Sequence, residues 1–220
     1  MRNIKFVTKE YYHIYNRGVD KRDIFMDVND VSRFLICLSL FNREELIGSV
    51  YEHSRKELKF GSSASKKGKL VNFVAYCLNQ NHYHFILEPL IEYGVQKFMH
   101  KLSTSYTNYF NEKYKRSGAL FQGKYKAIHI DSNTYLLNLS AYVNLNFKIH
   151  KGLNKGWMNS LKISSIKEYT EQVEKSFCVK DIVLSQFKNV KAYKKYCEEI
   201  LPDMILKKEE EKELKYLMIE

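Results

Sequence analysis

Two apolar runs flank a short polar break: Leu70 to Leu78, then Asn79-Gln80-Asn81, then His82 to about Glu88. The runs have strand composition and the break has turn chemistry, so the stretch reads as a β-hairpin closed by Pro89. Strand side chains alternate between faces. His82 and His84 therefore point one way and Tyr83 the other, with the histidines at the turn end of their strand. Neutral imidazole is the commonest protein metal ligand, so two on one face can grip a divalent ion or a phosphate. The plain alternative is a half-exposed strand with two polar residues toward water.

The chain around the hairpin sets the fold class. Tyr11 to Asn16 is aromatic and β-branched, a strand that breaks at Arg17-Gly18 and leads into a basic turn with Arg17, Lys21 and Arg22. Asp27 to Asp30 offer N-caps, and Val31, Phe34, Leu35, Leu38 and Phe41 repeat at helical spacing over about 29–42. Val95, Phe98, Met99, Leu102, Tyr106, Tyr109 and Phe110 mark a second helix over about 93–114, ended by Lys113 to Gly118. Phe121 to Ile130 reads as a fourth strand, and Asp131 or Ser132 caps a third helix over about 133–148. The order β-α-β-β-α-β-α is α+β: a split βαβ, ferredoxin-like or RRM-like antiparallel sheet, with helices on one face and the other free for a ligand. We expect a catalytic domain over 1–155, with 43–70 a probable insertion ending in a small, basic, loop-like run, and a helical C-terminal extension over 156–220.

Charge narrows the partner. Lys+Arg 36 against Asp+Glu 25 gives +11, and 17 Tyr and 13 Phe are interleaved with the cations. Single-stranded nucleic acid is held by such a mixture, because its bases stack and its phosphates attract cations; an acidic membrane surface is the other polyanion such charge suits. The simple alternative is a basic soluble protein with a Tyr-rich core. Cys37, Cys77, Cys178 and Cys197 form no CxxC pair and sit in apolar or helical contexts, which suits reduced thiols in the cytoplasm. No signal-peptide stretch and no membrane-length apolar run occurs.

The third helix carries an unusual stripe. Asn138, Tyr142 and Asn146 are four apart and share a face, while Leu136, Leu139 and Val143 lie on another. An exposed polar stripe that happens to include a tyrosine is the bland account.

Four segments occur in a fixed order: Tyr12-His13-Ile14-Tyr15-Asn16-Arg17-Gly18, Tyr76-Cys77-Leu78-Asn79-Gln80-Asn81-His82-Tyr83-His84, Gly118 to Lys126, and Tyr142-Val143-Asn144-Leu145-Asn146. Together, over about 11–155, they resemble the landmark segments of single-tyrosine HUH transposases, in particular the REP-associated tyrosine transposase branch. A lone HxH is weak; four ordered segments with matching spacing are specific.

The resemblance implies a divalent metal, Mg²⁺ or Mn²⁺, held by His82, His84 and, as third ligand, Asn146. It implies Tyr142 as nucleophile, forming a 5′-phosphotyrosyl link on single-stranded, hairpin-flanked DNA and freeing a 3′-OH. It leaves open a monomer or a homodimer, with the tyrosine helix completing its own site or a partner's. Helical spacing agrees, since residues at i and i+4 lie ~6 Å apart on one face. Arg17, Lys21, Arg22, Lys124 and Lys126 are the best candidates for phosphate contacts; solvated surface cations are the alternative for each. Two positions depart from the family pattern: Tyr83 replaces a plain hydrophobe between the histidines, and Phe147 stands where a proline often follows the helix amide. Tyr106 and Tyr109 are rival tyrosines, but neither has an amide at i+4. The contrasting function is a domesticated protein that binds nucleic acid on the same fold without cutting.

Overall fold

The computed structural model describes residues 4–45, 68–150, 156–161, 163–173 and 175–217. Most of the expected insertion, residues 46–67, lies outside the described residues. The hairpin forms as read: β2, Val71–Asn79, pairs antiparallel with β3, His82–Pro89, about the two-residue turn Gln80-Asn81. β1, Tyr11–Arg17, pairs with β3 on the other side, and β4, Lys126–Ile130, pairs with β1, both antiparallel. The sheet order β2-β3-β1-β4 is that of the split βαβ arrangement. β4 is shorter than the expected strand: Phe121 makes only an isolated bridge to Gly18.

Helix α1, Val28–Leu40, starts where the sequence supplies a capping box. The Asp27 carboxylate accepts from the Asn29 and Asp30 backbone N–H groups, and Asp30 accepts from that of Asp27. Buried Asp30 also accepts from Tyr109, Lys113 and Tyr114, tying the start of α1 to the end of α2, Gly94–Lys113. Both helices pack on one face of the sheet, where Phe34, Phe98 and Tyr106 meet Tyr12, Ile14, Phe73, Tyr83 and Phe85. Tyr83 is fully buried there, and its hydroxyl makes no hydrogen bond of normal geometry.

The α+β class holds, but the second face is only partly free. Helix α3, Asn133–Ile149, is capped by Ser132 and lays Leu136, Leu139 and Val143 over Val74, Ala75, Cys77 and Ile86. A row of apolar side chains on β2 and another on α3 each need cover, and each covers the other. Among the described residues, only the β1–β4 side of this face stays open, with Tyr15 half-buried and Lys126 and Ile128 exposed.

The C-terminal residues add α4, Ile166–Thr170, α5, Asp181–Leu184, and α6, Val190–Leu217. They join the second core through Tyr169, Val183, Tyr193 and Cys197. Just before α4 and again before α5 the chain runs along the outer edge of β2: Leu78 N–H donates to Ile163 O, Ser165 N–H to Tyr76 O, and Val179 N–H to Phe73 O. A register irregularity at Phe73–Ala75 turns the Val74 carbonyl aside, and the Tyr169 hydroxyl bonds it at 2.7 Å. All four cysteines are buried and free. No helix among the described residues is long and apolar enough to cross a membrane.

Candidate active site

The hairpin fixes the histidines. A two-residue turn makes Asn79 the cross-strand partner of His82, and Cys77 the partner of His84, all on the α3 face. His82 Nδ1 lies 2.6 Å from Asn81 Oδ1. That oxygen can only accept, so Nδ1 carries the proton and Nε2 presents a lone pair. Asn146 Oδ1 stands 3.2 Å from that Nε2. The Asn79 amide nitrogen donates to Asn146 Oδ1 at 2.7 Å and lies 3.1 Å from His82 Nε2. His84 Nδ1 is 2.8 Å from His13 Nε2 on β1. Burial holds His13 down to about 4 and His82 to about 3, and takes His84 well below its ordinary value. These imidazoles are therefore neutral near pH 7, as ligands must be.

Tyr142 comes to the same place from α3. Its ring sits edge-on to the His84 ring at 5.7 Å between centroids. His84 and His82 are themselves 5.1 Å apart, and His150, just past α3, lies 4.9 Å from His82. Burial raises the Tyr142 phenol above its ordinary value, while Lys208 and the Asn146 amide beside it oppose that rise. Lys208 belongs to α6 and pairs with Glu211 at 2.8 Å. Asn146 Nδ2 is buried without a hydrogen bond of normal geometry.

Of the residues singled out in the sequence, His82, His84, Tyr142 and Asn146 come together. Asn138 does not join them: it is exposed and accepts from the Tyr196 hydroxyl at 2.7 Å. Tyr106 and Tyr109 lie on α2, across the sheet, where they bond Ile24 O and Asp30. Phe147 lets the helix continue to Ile149. Arg17, Lys21, Arg22, Lys124 and Lys126 are all exposed. Arg17 pairs across the sheet with His82, and Lys126 and His84 both pair with Tyr15, so part of the basic group shares the histidines' face.

Four neighbours escaped sequence reasoning. Asn79 was within reach, because a tight hairpin must set it opposite His82. His13 and Tyr15 arrive by the β1–β3 register, and Lys208 by packing of a distant helix; no local spacing announces either. Among the described residues, no group of three or more His, Cys, Asp or Glu side chains could hold a metal. The donors that meet here are imidazoles and amide groups.

A family model for IS200-like transposases matches residues 37–146, half of the chain. Among solved structures, the chain is similar to the REP-associated tyrosine transposase bound to a REP hairpin, at 9% identity and TM-score 0.49, over 76% of this chain and 83% of that one. No curated protein matches the chain.

Proposed function

Because this chain belongs to the IS200-like transposase family, we propose that it cuts and rejoins single-stranded, hairpin-flanked DNA through a covalent bond between Tyr142 and a 5′ phosphate. The observation that carries this reading is the meeting of Tyr142 with His84, 5.7 Å apart, one helical turn from the amide that reaches His82. In the reaction, the Tyr142 oxygen attacks phosphorus and the bond from phosphorus to the 3′ oxygen breaks. The departing strand takes a proton and ends in a 3′-OH. The phosphate stays on Tyr142 as a phosphodiester, so the reverse attack by a 3′-OH reseals DNA without ATP.

The phenol must lose its proton to attack. Burial opposes that loss, and the charge of Lys208 favours it. His82, His84 and Asn146 would hold a divalent ion, Mg²⁺ or Mn²⁺. The donor set fits: the His82 lone pair and Asn146 Oδ1 stand 3.2 Å apart, close to the ~3.0 Å between neighbouring ligands in an octahedron of 2.1 Å radius. When bound, the ion polarises a phosphate oxygen and offsets developing charge. Arg17, Lys21, Arg22, Lys124 and Lys126 neutralise DNA phosphates around this end of the sheet. The reading holds for a monomer and for a homodimer alike, and the cytoplasm is where such DNA is met.

The test is a hairpin oligonucleotide with a single-stranded flank, labelled at either end, incubated with the protein and Mn²⁺. The downstream label should move onto the protein, and the upstream piece should end in 3′-OH. Tight binding with both labels remaining on free, uncut DNA would instead identify a non-cleaving nucleic-acid-binding protein.

A further inference from the structure

We propose that Asn79 is a fourth ligand of the divalent ion, binding through its side-chain oxygen. The inference rests on the metal-site reading above and names a side chain outside the set of two histidines and one helix amide. Asn79 closes β2 opposite His82 and is fully buried. Its Nδ2 faces three acceptors: Asn146 Oδ1 at 2.7 Å, His82 Nε2 at 3.1 Å and Cys77 Sγ at 3.9 Å. An amide nitrogen has two hydrogens. His82 Nε2 and Asn146 Oδ1 are lone-pair atoms only 3.2 Å apart, and such a pair needs positive charge close by. The Asn79 NH₂ group supplies it when no ion is present.

The three atoms form a triangle with sides of 2.7, 3.1 and 3.2 Å. That is close to one face of an octahedron whose ligands lie ~2.1 Å from the ion and ~3.0 Å from one another. A half-turn of the Asn79 amide exchanges Nδ2 for Oδ1 near the same point, and all three corners then offer lone pairs. Amide oxygen is also a harder donor than imidazole, which suits Mg²⁺ and Mn²⁺.

A ligand and a mere hydrogen-bond donor respond oppositely to one substitution. Asn79→Asp keeps an oxygen at the corner, adds charge and cannot donate; Asn79→Ala removes both functions. The experiment titrates Mn²⁺ into the full DNA-free chain and follows free Mn²⁺ by electron paramagnetic resonance, with folding checked by circular dichroism. Asn79→Ala should weaken Mn²⁺ binding by about tenfold or more, and Asn79→Asp should bind at least as tightly as the parent chain. Equal weakening in both variants would reduce Asn79 to a hydrogen-bonding support and overturn the inference. So would unchanged binding by Asn79→Ala while His82→Ala loses it. If Asn79→Ala does not fold, Asn79→Asp against the parent decides, and weaker binding overturns the inference. A parent chain that takes up no Mn²⁺ gives a different pattern, in which the metal reading itself fails and this ligand falls with it.

Discussion

The Tyr142 ring meets the His84 ring edge-on at 5.7 Å, within a single chain. Two sequence segments some sixty residues apart, one a strand and one a helix, thus bring the proposed nucleophile and the proposed ion-binding pair to one place.

Tyr142→Phe removes only a hydroxyl and leaves the half-buried ring packed. Stability should change by less than about 1 kcal/mol, and DNA binding should persist, but no covalent adduct should form on a denaturing gel. Tyr106→Phe should behave the other way round. It loses the buried bond to Ile24 O and about 1 kcal/mol of stability, yet it should still form the adduct. Adduct formation by Tyr142→Phe would move the nucleophile elsewhere.

His82→Ala should abolish cutting while leaving the fold and most single-strand affinity intact. Asn146→Ala should cut weakly and recover in part as Mn²⁺ is raised, because one ligand is gone and the phenol remains. Cleavage assays across a Mn²⁺ series, with a chelator control, separate the two. Full cutting in EDTA would remove the ion from the reaction.

If all five exposed cations contact phosphate, log K for single-stranded DNA should fall with log salt at a slope of roughly −3.5. Replacing Arg17 or Lys126 by Ala should each reduce that slope by about 0.7, as measured by fluorescence anisotropy over a salt range. A flat salt response would point to a protein partner instead.

Gly18 sets the turn that presents the basic residues. Its N–H donates to Asn81 O at 2.8 Å, and a Cβ there would stand 2.2 Å from the Arg22 carbonyl oxygen. Gly18→Ala should therefore cost about 1–3 kcal/mol as the turn shifts, a Tm loss of ~2–4 °C per kcal/mol for a chain this size. An unchanged melt would show that the turn gives way freely.

What could be read in advance was local. Period-two alternation put His82 and His84 together, helical spacing put Tyr142 with Asn146, and cap residues located α1 and α3 to within a residue or so. What could not be read was register between distant segments. His13 reaches His84 because β1 pairs with β3 at one particular offset. Lys208 reaches Tyr142 because α6 lies against α3. The expectation of a free sheet face failed for a related reason. Val74, Ala75 and Cys77 line one side of β2 as an apolar row, and such a row needs a cover, which the leucines of α3 provide.

The bonds from Ile163, Ser165 and Val179 to β2 bear on how this sheet is kept from pairing edge to edge with another molecule. A strand with open N–H and C=O groups is a template for another molecule's strand, and Val71 to Leu78 is long and apolar enough to be a strong one. The opposite edge, β4, has five residues and carries Lys126 and an exposed His129, features that discourage pairing. One border of the sheet is protected by charge and brevity, the other by the chain's own later residues. A fragment stopped at 155 would keep Tyr142, both histidines and Asn146, yet it would bare β2 and aggregate along it.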